Sequence, residues 1–313
     1  MPEVSVVVPT KDRLPYLRNT IQMFLTHDEV KEIIIVIDGC RDGTLDYLKA
    51  ASTADARVRY IDNVTNMGVA YSRNRGIDLA KCKYAFVAED DLTLSEKFFT
   101  ILLAHMEETE ADIISARNIF RWEDESIPDA IARTDKLTGP TINKGLITVR
   151  VEMPVDGHRV QPLLPSPMLG RTEIFRKVRW DENLWRGSAW REESDFQLEA
   201  WKSGYRLVYC AHTISFNLVI QNDRGGVHAS TGFRRVKSII KNNWYFIHKH
   251  REVIAKEFGV TNLYFYIVRF GAWKIYQDMI KPPFWNASLR VLRPLRRKWC
   301  NVKSNILQRR VYS

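Results

Sequence analysis

Three adjacent carboxylates, Glu89-Asp90-Asp91, form the part of the sequence best suited to metal chemistry. They directly follow an apolar run at 84–88, which has the pattern of a strand. Like charges at a strand end repel one another, and a bound divalent cation relieves that repulsion. The cluster therefore favours Mg²⁺ or Mn²⁺, held by one or two carboxylates and by the phosphates of a ligand. The alternative is an acidic cap on the following helix.

A second polar group follows the first two predicted strands. The strand at 4–8 leads into Thr10 and Arg13, and the strand at 33–37 leads into Asp38. Because ligands of open α/β sheets bind beyond the carboxyl ends of the strands, we expect these three side chains to face one crevice. The Asp38 carboxylate can accept a hydrogen bond there from a base N–H or a ribose hydroxyl. The alternative is that Asp38 and the glycine after it only form a turn.

The elements that position these residues follow from the spacing of apolar side chains. Strands are predicted at 4–8, 33–37, 58–61 and 84–87. Apolar residues recur at helical spacing from Leu14 to Leu25, and a second helix is expected to begin near Ser95 as its N-cap. Alternating strands and helices of this kind predict an α/β protein with a mostly parallel sheet. The first strand lacks the Gly-x-Gly-x-x-Gly turn of dinucleotide-binding folds.

The rest of the chain has a different character. Residues 121–167 are rich in Pro, Gly, Thr and charge and have weak periodicity, which predicts an acceptor-side loop region with some strand. Order resumes at 168–178. A short amphipathic helix is predicted at 192–203, ended by Gly204, and 233–280 are helical in pattern.

Five segments together resemble, in order and spacing, the family-2 glycosyltransferases, which are inverting enzymes of the glycosyltransferase A fold that use nucleotide-activated sugars. The segments are VSVVVPTKDR at 4–13, DGCRDGT at 38–44, NMG at 66–68 with RNRG at 73–76, EDD at 89–91 and REESDF at 191–196. The resemblance covers roughly 4–226. It implies a Rossmann-like, mostly parallel central sheet flanked by helices, here with a helical, basic C-terminal extension.

The domain limits follow from this resemblance and from the composition. We predict a glycosyltransferase A catalytic domain at 1–230, with a nucleotide-sugar-binding half at 1–118 and an acceptor and base half at 119–230. A helical C-terminal region follows at 231–313.

Matched position by position, the resemblance implies a donor site and a metal site. The residues that it places at the nucleotide sugar are Pro9, Thr10, Arg13, Asp38, Gly68, Arg73, Glu89 and Asp90. The acidic triplet falls on the family's DXD motif, so the metal ligands are Asp91, which occupies the position most often bound to metal, and Glu89. Glu89 stands where the family usually has Asp and is longer by one methylene.

The resemblance also places a general base at the start of the helix at 192–203. Matching Asp195-Phe196 to the family's Asp-Leu puts Glu193 at the base position, with Glu192 as the alternative one residue earlier. An inverting transfer needs one base to take the proton of the acceptor hydroxyl as it attacks the anomeric carbon. The alternative for both residues is favourable charge at a helix N-terminus.

One position departs from the family pattern. Many relatives carry a histidine after the strand that follows the base helix, and this chain has Asn217 there. Either His228 enters the phosphate and metal region instead, or no histidine ligand is used.

The net charge of +10 is concentrated at the C-terminus. Residues 281–313 contain nine Lys or Arg and no Asp or Glu, which leaves +1 for 1–280. Interleaved with Trp and Leu, these cations predict a segment that lies on an anionic membrane surface and brings the enzyme to a lipid-linked acceptor. The alternative is a solvated tail. Nucleic acid is not expected as a partner, because the body is near-neutral and no recognition motif is present.

The predicted localisation depends on whether the sequence contains a spanning helix or a signal peptide. No run approaches the ~20 apolar residues of a spanning helix, and the N-terminus leads into a strand without signal-peptide features. We expect a cytoplasmic location, either free or peripheral at the inner face of the membrane. The widely spaced cysteines, Cys40, Cys82, Cys210 and Cys300, predict reduced thiols rather than a zinc site or disulfides.

The sequence therefore predicts a metal-dependent, inverting glycosyltransferase in the synthesis of cell-surface polysaccharide or glycoconjugate. It would move a sugar from a nucleotide donor, UDP being the family's commonest, to a saccharide or lipid-linked acceptor. Two alternatives stay open. One is a non-catalytic relative that binds nucleotide sugars or acts as a membrane scaffold, suggested by Glu89 and the missing histidine. The other is a nucleotidyltransferase, which would need a Gly-rich basic loop that 9–13 do not supply.

Overall fold

A computed structural model of the chain describes residues 2–122, 124–185, 190–219 and 232–280. In these ranges the chain alternates between strands and helices. The strands are β1 (Val4–Thr10), β2 (Val30–Ile37), β3 (Val58–Asp62), β4 (Tyr84–Val87), β5 (Leu92–Leu94), β6 (Ile113–Trp122), β7 (Ile142–Asn143), β8 (Thr148–Val149), β9 (His158–Val160), β10 (Met168–Arg171) and β11 (Leu207–Val219). The helices are α1 (Leu14–Leu25), α2 (Thr44–Ala54), α3 (Val69–Leu79), α4 (Phe98–Glu108), α5 (Ile127–Thr134), α6 (Thr172–Lys177), α7 (Glu192–Lys202), α8 (Gly232–Lys249), α9 (Arg251–Phe258) and α10 (Leu263–Ile275).

The central sheet has the order β3-β2-β1-β4-β10-β6-β11-β5, and β9 pairs with β11. The first four strands are parallel, as the alternating pattern predicts. Strand β10 is antiparallel to both β4 and β6, and β5 and β9 are antiparallel to β11. The sheet is therefore mixed, although β6 and β11 in its second half pair in parallel.

Alternate side chains of β1 divide the core into two layers. Val4, Val6 and Val8 are fully buried on one face with residues of α1 and α4. Val7 is buried on the opposite face, where α3, α6 and α7 pack. Since successive side chains of a strand point to opposite faces, a run of valines covers both layers. Helices on both faces hold the strand ends, and the loops that follow them, in fixed positions.

The helix after the acidic triplet begins later than predicted. The hydroxyls of Ser95 and Thr213 are hydrogen-bonded at 2.7 Å, and Lys97 stands at the N-cap of α4. The prediction of Ser95 as the N-cap was wrong, because a partner on β11 engages its hydroxyl.

The segment at 121–167 is more ordered than the predicted loop with some strand. It contains β7, β8 and β9, and also α5, which was not predicted. Ser126 caps α5 by accepting a hydrogen bond from the backbone N–H of Asp129. Buried Ala130 and Thr134 give this helix one inward face.

Helices α8, α9 and α10 confirm the helical pattern at 233–280 and form a third apolar cluster. Phe246, Tyr266 and Phe270 pack there with Ile147 and with Leu198 of α7. None of the helices in the described ranges combines the length and the apolar composition needed to cross a bilayer. The C-terminal helices thus pack against the same element that carries the predicted base.

Candidate active site

The loop after β1 is tied to the acidic triplet. Thr10 donates its hydroxyl to Asp90 over 2.8 Å, and the guanidinium of Arg13 is 3.1 Å from Asp90 and 2.7 Å from Asp91. Parallel pairing of β1 with β4 places both loops at the same edge of the sheet. Two residues that the sequence placed in one crevice with the nucleotide are therefore in direct contact with the predicted metal motif.

Asp38 is buried and shapes a neighbouring loop. Its carboxylate accepts hydrogen bonds from the Asn63 side chain at 3.0 Å, from Met67 N at 2.7 Å and from Gly68 N at 3.0 Å. Gly39 has φ +70 and lies so close to Asn66 that any side chain would collide with that backbone. Asp38 thus fixes the entrance to α3, and a nucleoside contact by this residue stays a prediction.

The loops after β1 and β2 are joined by a separate acidic pair. Asp12 accepts from the backbone N–H of Arg41, and Asp42 accepts from the N–H of Leu14. Ligand atoms of Asp12, Cys40 and Asp42 lie within 4.8 Å of one another. Because these carboxylates are already engaged with backbone, we interpret the group as a connection between loops.

Glu89 and Asp91 point to one place, and Asp90 points elsewhere. The Asn217 side chain donates from Nδ2 to Glu89 at 2.5 Å and to Asp91 at 2.9 Å. Strand β11 makes this possible, because its antiparallel register with β5 pairs Asn217 with Leu92, the residue after the triplet. Asn217 was noted in the sequence only as a departure from the family pattern, and its contact with both carboxylates was not foreseen.

The candidate base is held by a buried arginine. Arg73 of α3 is 3% exposed, and its guanidinium lies 2.8 Å from Glu193 and 3.4 Å from Glu192. It also lies 5.8 Å above the buried Trp180 ring. The resemblance placed Arg73 against the nucleotide, whereas the structure pairs it with both candidate bases. The role of Trp180 had no signal in the sequence beyond its aromatic character.

Burial and like charges shift the pKa of two carboxyls in this site. Burial, together with the carboxylates of Glu193 and Asp91, raises the pKa of Glu89 to about 8, while Arg73 acts in the opposite direction. Burial likewise raises the pKa of Glu192 to about 8, with Glu193 acting in the same direction and Arg73 against it. Although burial acts to lower the pKa of Arg73, the carboxylates of Glu193 and Glu192 raise it above its ordinary value. The donor-side and base-side carboxylates therefore lie within electrostatic reach of one another.

Helix α7 is anchored to the C-terminal helices by its buried Asp195. This carboxylate is 0% exposed, and it accepts from Lys249 at 2.9 Å and from His250 at 2.7 Å. Lys249 also reaches Asp181. Such contacts leave Asp195 no access to an acceptor, which supports its assignment as a structural neighbour of the base.

Arg191 anchors the first turn of α7 from its other side. It has φ +83, and its guanidinium donates to Asn243 and to the carbonyls of Leu146 and Ile147. The Phe246 ring lies 4.7 Å from its guanidinium carbon. A buried arginine without a carboxylate partner among the described residues relies on such carbonyls and aromatic faces. The backbone immediately before Glu192 is fixed as a result.

The structure places nine of the predicted site residues at the carboxyl ends of the parallel strands or in the segments that follow them, namely Pro9, Thr10, Arg13, Asp38, Gly68, Arg73, Glu89, Asp90 and Asp91. Glu192 and Glu193, at the start of α7, meet this group through Arg73. His228 and the tail at 281–313 lie outside the described residues. Cys40, Cys82 and Cys210 are free thiols.

The donor chemistry of this crevice fits a hard divalent cation. Glu89 and Asp91 direct carboxylate oxygens towards the same amide, and Asn217 Oδ1 is buried with no hydrogen-bond partner in the described part of the chain. Among the described residues, Arg13 and Arg73 are ion-paired with a cluster that has more carboxylates than guanidiniums. Oxygen donors in a site with excess negative charge are those that Mg²⁺ and Mn²⁺ prefer.

Fold and site together define a protein of the glycosyltransferase A fold. S. aureus TarS, residues 1–349 in complex with UDP-GlcNAc, has a similar structure, with a TM-score of 0.59, 15% identity, and coverage of 90% of this chain and 75% of that one. GalNAc-T7 with UDP, GalNAc and Mn²⁺ gives a TM-score of 0.61 at 11% identity and covers 90% of this chain and 58% of that one. At these identities the likeness shows the fold.

The family follows from the sequence. Residues 5–152 match the family model for Glycosyl transferase family 2. This segment, just under half of the chain, matches the family-2 glycosyltransferases, which confirms the resemblance in its motifs.

Curated proteins of similar sequence are also named glycosyltransferases. Glycosyltransferase GlyG of Streptococcus pneumoniae serotype 4 is 31% identical over 113 residues, which are 36% of this chain and 37% of that protein. The putative teichuronic acid biosynthesis glycosyltransferase TuaG of Bacillus subtilis is 25% identical over 169 residues, which are 51% of this chain and 66% of that protein. The matches thus span between about a third and two thirds of these relatives' lengths.

Proposed function

We propose that this protein is an inverting, divalent-metal-dependent glycosyltransferase that moves a sugar from a nucleotide donor to a saccharide or lipid-linked acceptor. The observation that carries the proposal is the meeting of two carboxylate pairs from distant parts of the chain. Glu89 and Asp91 converge on Asn217, and Glu192 and Glu193 converge on Arg73. The pair Glu89 and Asp91 suits the binding of a metal and a diphosphate. The pair Glu192 and Glu193 suits removal of the proton from an acceptor hydroxyl.

On the acceptor side, Glu193 is the better candidate for the general base. Its side chain is 29% exposed, against 8% for Glu192, so an acceptor hydroxyl can reach it. In the transfer, the acceptor oxygen forms a bond to the anomeric carbon while its proton passes to Glu193. The bond from that carbon to the diphosphate oxygen breaks, and the nucleoside diphosphate leaves with the electron pair. The anomeric configuration inverts in this single displacement.

Arg73 orients the base in this scheme. A guanidinium forms two directed hydrogen bonds in a fixed plane, which lets one arginine hold two neighbouring carboxylates. Arg73 holds the Glu193 carboxylate by a 2.8 Å hydrogen bond, and the Trp180 ring lies 5.8 Å from the guanidinium. Anchoring of α7 by Asp195 and Arg191 keeps the whole first turn in place.

On the donor side, the residues at the ends of β1 and β2 would hold the nucleotide. UDP is the nucleotide we propose, since UDP-GlcNAc and UDP are the ligands of the structurally similar TarS complexes. Glu89 and Asp91 would hold Mg²⁺ or Mn²⁺, which when bound would neutralise negative charge on the departing diphosphate. Mn²⁺ is the ion in the GalNAc-T7 complex.

The acceptor side extends towards a membrane surface in our proposal. Helix α10 exposes Tyr264, Phe265 and Val268, which are 73%, 65% and 55% exposed. The chain continues from this helix into the basic segment at 281–313, with its nine cations and no acidic residue. Exposed aromatic residues followed by clustered cations suit binding at the inner face of an anionic membrane and a lipid-linked acceptor of cell-surface polysaccharide.

The test combines donor binding with turnover. Thermal unfolding is measured with UDP, GDP, dTDP and CMP sugars, with and without Mn²⁺, because a ligand of the folded state raises the melting temperature. We expect a metal-dependent shift with one class of nucleotide, and loss of transfer in Asp91→Ala and Glu193→Ala proteins that remain folded. Normal turnover in both variants would contradict the proposal. Donor binding without transfer or hydrolysis would instead support a non-catalytic nucleotide-sugar-binding protein.

A further inference from the structure

Asn217 occupies a special position beside the acidic triplet. It is 4% exposed, and its single Nδ2 group bridges Glu89 and Asp91. The other end of the same amide, Oδ1, is buried and has no hydrogen-bond partner in the described part of the chain. A buried carbonyl oxygen without a partner is unfavourable. The amide therefore has a donor in use between two carboxylates and an unused acceptor beside them.

The distances around this amide match those between neighbouring ligands of a small cation. In an octahedral site with bonds of about 2.1 Å, adjacent ligand atoms lie about 3 Å apart. Asn217 Nδ2 is 2.5 Å from Glu89 Oε2 and 2.9 Å from Asp91 Oδ1. The two ends of a carboxamide have nearly the same shape, so half a turn about χ2 exchanges the nitrogen and the oxygen. An oxygen in that position stands among carboxylate oxygens at coordination spacing.

From this geometry we propose that Asn217 is a ligand of the divalent cation through Oδ1, as a neutral third oxygen beside Glu89 and Asp91. The inference rests on the proposed metal-dependent function. In the metal-free protein the amide donates to both carboxylates, and on metal binding it turns and presents its oxygen. Three oxygen donors suit Mg²⁺ and Mn²⁺, whereas nitrogen and sulfur ligands suit softer ions such as Zn²⁺.

A purely structural role for Asn217 predicts the opposite effect on metal affinity. As a hydrogen-bond donor, Asn217 relieves the repulsion between Glu89 and Asp91 only while no cation is present. Removing such a donor would leave Mn²⁺ affinity unchanged or increase it, since the cation would then relieve more repulsion. Removing a ligand weakens affinity. Weaker Mn²⁺ binding therefore excludes a donor that acts only in the metal-free protein, and the metal preference of Asn217→His separates a ligand from a residue that only orients the ligands.

The experiment titrates the full chain with Mn²⁺ alone and follows the free ion by electron paramagnetic resonance. The variants are Asn217→Ala, Asn217→His and, as the matched control, Asn118→Ala. Asn118 is a buried amide of β6 that binds Ser166 and Ser215 and has no contact with the acidic triplet. Thermal unfolding checks that each variant is folded.

We expect Asn217→Ala to weaken Mn²⁺ binding about tenfold and Asn118→Ala to leave it unchanged. Asn217→His, which keeps a ligand of similar size, should retain Mn²⁺ binding and gain affinity for Zn²⁺ relative to Mn²⁺. Equal or tighter Mn²⁺ binding by Asn217→Ala overturns the assignment of Asn217, and so does an unchanged metal preference in Asn217→His. Absence of Mn²⁺ binding by the unaltered protein would overturn the metal site of the proposed function itself, which distinguishes the two failures.

Discussion

The guanidinium of Arg73 and the carboxylate of Glu193 form a 2.8 Å ion pair between residues 120 positions apart in the chain. Arg73 belongs to the predicted nucleotide-sugar-binding half, and Glu193 belongs to the predicted acceptor and base half. The pair joins the two halves at the crevice where the proposed transfer occurs. Arg73 is nearly fully buried, so its loss would leave two carboxylates uncompensated.

Replacing Arg73 tests whether it orients the base or binds the donor. A lysine keeps the charge but not the planar fork, so Arg73→Lys should misplace Glu193 and lower kcat by about tenfold to a hundredfold. Its donor affinity, measured by calorimetry, should change little. A large loss of donor affinity with kcat retained would show instead that Arg73 acts on the nucleotide. Arg179→Lys, in an exposed pair with Asp78, is the control and should have no effect.

The raised pKa of Glu192 predicts that the stability of the protein depends on pH. Burial raises its pKa to about 8, from about 4.5 for the unfolded carboxyl, so the folded chain binds this proton more tightly. Its contribution is therefore fully present below about pH 4.5 and is lost as the pH rises to about 8, by at most about 1.4 kcal/mol per pH unit. The charged groups facing it are Glu193, Glu89 and Arg73.

Urea unfolding of metal-free protein at pH 6 and pH 8 measures this effect. The unaltered chain should be less stable at pH 8, and Glu192→Gln should show a smaller difference between the two values. Glu107→Gln, at an exposed position of α4, serves as the control and should behave as the unaltered chain does. An equal pH dependence in Glu192→Gln would show that the linkage lies elsewhere.

Asp195 should matter for stability far more than an exposed aspartate. Asp195→Asn removes a buried charge that two cationic or hydrogen-bonding partners, Lys249 and His250, share. Breaking such a buried pair costs about 3–5 kcal/mol, and we expect α8 to become more accessible to protease. Urea unfolding and limited proteolysis provide the measurement. Asp46→Asn, in an exposed pair with Lys49, should change stability by less than about 0.5 kcal/mol.

Two helix glycines should respond oppositely to the same substitution. A methyl group at Gly76 of α3 would overlap the side chain of Val7 in β1, so Gly76→Ala should destabilise the protein by about 1–3 kcal/mol. At Gly271 of α10 the nearest atom is 3.6 Å away, in Ile240. Gly271→Ala should therefore be neutral or stabilising by up to about 1 kcal/mol. Chemical denaturation of both variants compares them, and a destabilised Gly271→Ala would contradict the packing of α10 against α8.

The basic segment at 281–313 should control membrane binding. We expect the full chain to sediment with vesicles containing phosphatidylglycerol and not with phosphatidylcholine alone. Reversing three charges, in Arg296→Glu, Arg297→Glu and Lys298→Glu together, should weaken this partitioning by at least about a hundredfold, because the loss of the three cations alone costs about 1 kcal/mol each.

A control triple variant changes the net charge equally on exposed lysines of the body, Lys136→Glu, Lys144→Glu and Lys177→Glu. Equal losses in the two triple variants would show a general charge effect and not a specific surface. Binding to neutral vesicles with the same affinity would contradict the electrostatic part of the proposal.

The sequence by itself determined the parallel half of the fold and the residue types of the candidate site. Apolar runs at 4–8, 33–37 and 84–87 predict strands that are buried on both faces, and the run at 58–61 predicts the edge strand β3, in which Val58 is buried. A local motif such as the acidic triplet predicts its chemistry directly, because its carboxylates are adjacent in the sequence and therefore interact. Such contacts join residues that are close in the sequence, so one sequence is enough to predict them.

Only the tertiary structure decided how these motifs are combined. The mixed second half of the sheet, the hydroxyl of Ser95 bound by Thr213, and the position of Asn217 over Glu89 and Asp91 all depend on where β11 lies. The pairing of Arg73 with the candidate bases depends likewise on α3 and α7 packing on one face of the sheet. Residues more than a hundred positions apart meet through the packing of whole elements, and no local pattern in the sequence records such a meeting.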